Sequence, residues 1–165
     1  MRFDLRKYFS AGASPCEKSF TADFSQRDFS GARIPAPVAA CLTAERSLGE
    51  IRLHLDASAQ ITGECARCLD PVSEQETVST DWTVHEKDLD DPDFELPLDA
   101  AGALDVDEWL YQEFLFQIPT VLLCSADCLG LCPVCGKKRQ DCTCPQAVES
   151  TSADARLSIL KSLLN

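Results

Sequence analysis

Residues 38–56 read VAACLTAERSLGEIRLHLD. Val38, Ala40, Leu42 and Ala44 recur at every second position, and so do Ile51, Leu53 and Leu55, with Arg52, His54 and Asp56 between them. Successive side chains of a strand point to opposite faces, so this period marks strands with one apolar and one wet face. The two runs meet at Leu48-Gly49, which predicts a hairpin of residues 42–47 and 49–56. Working outward, Phe20, Ala22 and Phe24 alternate with Thr21, Asp23 and Ser25, and the stretch from Thr77 to His85 is rich in Thr, Val and Trp. With Gly31, Pro35, Pro37 and Gly49 as punctuation, residues 1–87 are expected to form short antiparallel strands.

Residues 88–104 read as a polar, acidic connector containing Pro92, Pro97 and Gly102. A helix is expected over 105–119. Asp105 and Glu108 have capping-box spacing, and Val106, Trp109, Leu110 and Phe114 line one face, widened by Leu115 and Ile118. Pro119 ends it by forcing Ile118 out of the helical region. Residues 120–145 carry six cysteines and little that could form a core. Residues 146–165 read as a polar link and an amphipathic helix with Ala153, Leu157, Leu160 and Leu164 on one face. The expected fold is α+β and one folded domain overall: an antiparallel, partly curled sheet with a packed helix, a cysteine-rich zinc-binding segment and a C-terminal helix.

The chain has 165 residues, 45% of them hydrophobic, which suffices for a buried core and argues against full disorder. Its 27 acids and 15 bases leave −12, too acidic to coat nucleic acid through bulk charge. No apolar run approaches the length of a membrane-spanning helix, and the first fifteen residues lack the apolar core of a signal peptide. A cytoplasmic protein is expected. Twelve of the acids but only one base, Lys87, lie between Asp81 and Glu113, so that stretch holds −11 and the rest of the chain −1. Such a segment fits a solvated linker or an acidic surface for a basic partner.

Eight of the ten cysteines form pairs: Cys65 and Cys68, Cys124 and Cys128, Cys132 and Cys135, Cys142 and Cys144. The Cys-x-x-Cys spacing lets two thiolates bind one zinc from a tight turn, and Gly136 after Cys135 suits such a knuckle. Metal binding would also supply the folding energy that a core-poor segment lacks. Eight thiolates make two closed, structural four-sulfur sites. The neatest partition joins Cys132, Cys135, Cys142 and Cys144 in one, and Cys65, Cys68, Cys124 and Cys128 in the other, which would staple the strands to the cysteine segment. Other partitions are open. An iron–sulfur triad at Cys128, Cys132 and Cys135 would need a large barrel that the chain lacks. A redox dithiol at Cys132 and Cys135 would need a helix after it. Disulfides do not suit a reducing compartment.

Cys16 and Cys41 stand apart as small hydrophobes, and His54 and His85 read as surface histidines. No nucleophile constellation or phosphate-cradling loop is present in the sequence, so an enzyme is not expected. Lys137, Lys138 and Arg139 directly follow the knuckle, and Arg67 lies between Cys65 and Cys68. These four cations are candidates for RNA or partner contact. The trio could equally offset thiolate charge or form a wet loop.

Cys65-Ala66-Arg67-Cys68-Leu69 resembles the C-x-R-C-L element of the YceD-like large ribosomal RNA subunit accumulation proteins. Leu115-Phe116-Gln117-Ile118-Pro119, preceded by Glu113, resembles that family's helix end. The block from Cys124 to Gly136, then Cys142-x-Cys144, resembles its cysteine block, and Asp154-Ala155-Arg156-Leu157 with Leu160-Lys161-x-Leu163-Leu164 its closing helix. Ala155 stands where the family commonly has proline, and Lys137-Lys138-Arg139 replaces its usual asparagine–leucine stretch. The resemblance implies a non-enzymatic, cytoplasmic bacterial protein that supports accumulation of large-subunit (23S) ribosomal RNA through assembly or processing. Its implied partners are a large-subunit precursor, ribosomal RNA or a ribosomal protein. A zinc-stabilised interaction module unrelated to ribosomes, or a thiol redox protein, would use the same residues differently.

Overall fold

The hairpin at residues 38–56 forms the middle of a four-stranded antiparallel sheet. Its strands are β2 (Cys16–Ala22), β3 (Val38–Ser47), β4 (Glu50–Glu64) and β5 (Pro71–His85), paired in that order as a meander. The structure is a computed structural model that describes residues 1–11, 14–91 and 93–144. The chain divides into two compact units, Met1–Cys128 and Leu129–Asn165. The expected helix at 152–165 lies outside the described residues.

Ser47 pairs with Glu50, so Leu48 and Gly49 alone make the β3–β4 turn. Both have positive φ, 45° and 91°, the condition for a primed two-residue turn that matches strand twist. Glycine adopts this freely, whereas leucine pays for it. Leu48 is fully exposed and recovers nothing through packing.

β4 runs well past the alternating stretch that ends at Asp56. Ala57, Ala59 and Ile61 continue its buried face, but two alanines carry too little apolar area to mark a period. β4 and β5 stay in register from Glu50–His85 to Glu64–Pro71, and the loop 65–70 closes their far end.

Val38, Leu42, Ile51, Leu53, Leu55, Val78 and Val84 face the core. α2 (Val106–Gln117) packs against β5 and buries Val106, Trp109, Leu110 and Phe114. Asp105 caps it by accepting from the Glu108 amide at 3.3 Å. Phe24, Phe29, Tyr111 and Phe114 interlock by tilted and edge-on contacts, with centroids 5.3–6.2 Å apart.

The first ten residues are not only strand. β1 (Arg2–Asp4) pairs with β6 (Ala103–Asp105) in a separate two-stranded sheet. α1 (Leu5–Ser10) follows, capped by Asp4, which accepts from the Lys7 amide at 2.8 Å. Leu5, Tyr8 and Phe9 are buried at helical spacing.

The acidic stretch is folded onto this base. Leu89, Leu96 and Leu104 are buried. The Met1 amine pairs with Asp107, Arg2 with Asp99 at 3.3 Å, Arg6 with Asp90, and Arg27 with Glu108 at 2.6 Å. Four cationic groups from outside the stretch therefore offset part of its charge. Asp99 also accepts from the amides of Ala101 and Ala103 at 2.9 and 3.0 Å. The Ala103 amide leads in holding its carboxyl below the usual range.

Leu48→Asn should stabilise the Met1–Cys128 unit by about 0.5–1 kcal/mol, because asparagine tolerates the left-handed region and no packing is lost. Thermal melts of both chains test this. A lower melting temperature for the variant would refute the assigned turn strain.

Candidate metal centres

The β4–β5 hairpin ends in a knuckle. The Cys65 amide donates to the Asp70 carbonyl at 2.8 Å, and the Leu69 amide donates to the Cys65 carbonyl at 2.9 Å. Leu69 takes a φ of 64°, which turns the chain back into β5. The segment after α2 then crosses the end of β4. Gly63 makes that approach possible: a Cβ there would run into the Leu122 side chain and lie 3.2 Å from the Gly31 carbonyl. The Ala66 amide donates to the Leu122 carbonyl at 2.9 Å. Cys124 and Cys128 arrive beside Cys65 and Cys68.

In this first centre the Sγ atoms of Cys65 and Cys128 are 3.8 Å apart, and those of Cys68 and Cys124 are 3.5 Å apart. Cys65 and Cys68 are buried, Cys128 half-buried and Cys124 exposed. All four ligand atoms lie within 4.8 Å of one another. A tetrahedral thiolate site with metal–sulfur bonds of about 2.3 Å has sulfur–sulfur edges of about 3.8 Å, so the four residues fit a bound metal.

The second centre lies within the Leu129–Asn165 unit and groups Cys132, Cys135, Cys142 and Cys144 within the same 4.8 Å limit. Cys135 and Cys142 have their sulfurs 3.4 Å apart. Here the knuckle is closed by the Gly136 amide, which donates to the Cys132 carbonyl at 2.9 Å, with Gly136 at a φ of 72°. The Cys132 amide donates to the Lys137 carbonyl at 2.7 Å. Among residues 129–144 only Cys132 is a buried hydrophobe, so packing contributes little to this fold. The grouping in both centres is the partition favoured by the cysteine spacing.

The two centres share an electrostatic pattern. The amides of Cys124, Arg67 and Cys68 act on the Cys65 sulfur and bring its pKa down to about 6 against the effect of burial. The amides of Cys135 and Val134 lead in bringing Cys132 to about 6 as well. At Cys68 the Asp70 amide pulls downward, but burial and the neighbouring sulfurs prevail and push the thiol up to about 12. At Cys142 the Cys144 amide is likewise outweighed, by Cys132, Cys135 and burial, and the thiol rises to about 12. Each cluster thus favours one thiolate and resists several, the condition that a divalent cation relieves.

Arg67 is exposed at the knuckle, but its guanidinium is engaged. Its Nη1 donates to the carbonyls of Ala126 at 3.3 Å and Cys128 at 2.9 Å. Nothing in the Cys-x-x-Cys spacing signals those acceptors. Lys137 and Arg139 are exposed beside the second centre, and Lys138 is half-buried where it pairs with Leu131.

Cys16 and Cys41 belong to neither cluster and are half-buried on β2 and β3. His54 lies on the wet sheet face between Asp56 at 2.6 Å and Asp81 at 2.8 Å. The hydrogen bond to Asp81 leads in raising its pKa above the ordinary histidine value. The His85 amide donates to Asp88 at 2.7 Å, which opens a 3₁₀ turn at Glu86–Asp90.

A hairpin-tip knuckle completed by a second cysteine pair, and followed by a four-cysteine cluster, defines a protein with two four-cysteine groups that could hold metal ions. The family model for the large ribosomal RNA subunit accumulation protein YceD matches residues 53–164, a span that contains all eight clustered cysteines. The chain belongs to that family. Comparison with the curated proteins gives no match, and comparison with the solved structures gives none. No described helix is long and apolar enough to cross a membrane.

Cys65→Ser should lower the metal content by one ion per chain and leave the second centre loaded, as read by elemental analysis of the purified protein. Cys142→Ser should do the converse. Because Cys68 and Cys142 hold protons up to about 12, metal uptake must release protons. Apparent affinity should therefore rise with pH between about 6 and 8. A competition titration showing no dependence on pH would contradict four-thiolate binding.

Proposed function

We propose that this chain is a non-enzymatic factor for accumulation of large-subunit (23S) ribosomal RNA, acting in assembly or processing of the large subunit. The observation that carries this reading is the family match over residues 53–164. The setting it implies is the cytoplasm of a bacterium. The partner is a large-subunit precursor, met through its RNA or through a ribosomal protein.

Two structural zinc ions complete the proposal, one in each cysteine quartet. Sets of four thiolates are typical of structural zinc and leave no open coordination position for a substrate. Four thiolates around Zn²⁺ carry −2, so two loaded centres would take the formal charge from −12 to about −16. That charge favours a local contact over a broad electrostatic one with RNA. Lys137, Lys138 and Arg139 supply the cations for such a contact beside the second knuckle. Glu86, Asp93 and Glu95, which form no ion pair among the described residues, are open to a basic protein.

Deletion of the gene should lower large-subunit RNA relative to small-subunit RNA, and the tagged protein should co-sediment with large-subunit precursors. A protein confined to the ribosome-free fraction, together with normal ribosomal RNA in the deletion strain, would refute the proposal. Recovery of one stable non-ribosomal partner in a pull-down would favour a metal-stabilised interaction module instead.

A further inference from the structure

We propose that Arg67 is a positioning residue of the first metal centre: it clamps the loop carrying Cys124 and Cys128 onto the hairpin knuckle that carries Cys65 and Cys68. The inference rests on the metal reading given above and concerns how one of the two centres is assembled.

The first centre draws its ligands from two parts of the chain more than fifty residues apart. Cys65 and Cys68 are held by the β4–β5 ladder, which is in register up to Glu64–Pro71. Cys124 and Cys128 lie in a segment without regular structure after α2. Something must fix that segment against the knuckle, because a tetrahedral site demands sulfur positions good to a few tenths of an ångström.

Two contacts bracket the segment. At its start, the Ala66 amide donates to the Leu122 carbonyl at 2.9 Å. At its end, Arg67 donates to the carbonyls of Ala126 at 3.3 Å and Cys128 at 2.9 Å. Ala66 and Arg67 are the two residues between the ligands Cys65 and Cys68, so one Cys-x-x-Cys turn supplies both holds. The Cys128 carbonyl belongs to a ligand itself, and its sulfur sits 3.8 Å from that of Cys65. Moving the carbonyl moves the sulfur.

Arginine suits this task. Its Nη1 carries two N–H groups in a fixed plane and meets both carbonyls from one nitrogen, and its charge strengthens both bonds. The cation also sits beside a centre that would carry −2 when loaded with zinc. A lysine can offer only a point charge on a flexible stem, and alanine offers neither. The second centre is assembled locally: its four cysteines fall within thirteen consecutive residues, and turns within them bring them together. Arg67 should therefore govern one centre and be silent at the other.

The test uses the full zinc-loaded chain and follows metal release to a chromogenic chelator. Cys142→Ser identifies the phase that belongs to the second centre. Arg67→Ala should speed release from the first centre about 10- to 100-fold, the range for loss of an outer-sphere partner, and leave the second phase unchanged. Arg67→Lys should restore part of the loss, and Arg67→Gln, a neutral amide whose NH2 ends two atoms short of the arginine Nη1, should release metal nearly as fast as Arg67→Ala. Cobalt substitution provides a spectroscopic check: the ligand-field bands of the first centre should broaden or shift in Arg67→Ala. Trp109 fluorescence during melting should stay close to that of the parent chain, because Trp109 is buried in the α2 core.

If Arg67→Ala fails to fold, the lysine and glutamine variants carry the same comparison. Release from the first centre within twofold of the parent in all three variants would overturn the clamp and leave the metal reading standing. Equal acceleration of both phases would also overturn it, since that is general destabilisation. A parent chain that binds no metal at either centre would overturn the metal reading, and the clamp with it.

Discussion

Fifteen residue pairs join β4 to β5, and the rest of the Met1–Cys128 unit depends on that ladder. Its inner face carries Ile51, Leu53, Leu55, Ile61, Val78 and Val84, which bury the apolar area on which α2 rests. Its far end holds the Cys65–Cys68 knuckle at a fixed point beyond the core. A shorter hairpin would bury the same central residues but leave the knuckle without a rigid mount. The missing side chain at Gly63 then lets the chain after α2 pass close enough to deliver the second cysteine pair.

The two centres represent two solutions to one problem. In the first, a hydrophobic core already exists, and the metal would join a finished sheet to an irregular segment. In the second, residues 129–144 bury one hydrophobe, so packing among the described residues there is small against the backbone entropy of ordering them. A structural zinc bound there would contribute about 10 kcal/mol or more at neutral pH, the scale that folds zinc-finger peptides. The shared pattern of a depressed and a raised thiol has a common cause: several amides converge on Cys65 and on Cys132, with the Cys124 amide leading at Cys65, while burial and neighbouring sulfurs prevail at Cys68 and Cys142.

The acidic stretch shows why charge counted along a chain differs from charge on a surface. Its residues serve as helix cap, turn acceptors and ion-pair partners as well as solvated acids. Asp105 caps α2, Asp99 gathers two loop amides, and Asp90, Asp107 and Glu108 meet cations from other parts of the unit. Exposed pairs of this kind contribute roughly 0–1 kcal/mol each, so their effect is on placement more than on stability. They draw the N-terminal strand and helix onto β6 and α2.

Local signals in the chain specify the alternation of β3 and β4, their turn at Leu48-Gly49, the helix between Asp105 and Pro119 and the paired cysteines. Each is a two-residue period, a cap and a stop, or a turn spacing. The chain also carries the motifs by which the family is recognised. The full length of β4 and β5 is set by the packed fold, because Ala57 and Ala59 are buried by their position and are too small to mark a period. The same holds for the β1–β6 pair, since three-residue strands have no period to read, and for α1, whose Leu5, Tyr8 and Phe9 span too short a run to mark a helix. The joining of Cys65 and Cys68 with Cys124 and Cys128 needed the sheet and α2 to bring two distant segments together; spacing could rank that partition but not select it. Arg67 is the clearest case. In sequence it is a cation between two ligands, equally suited to phosphate or to solvent. In the fold its donors meet two carbonyls some sixty positions away, because long-range backbone acceptors leave no trace in residue type.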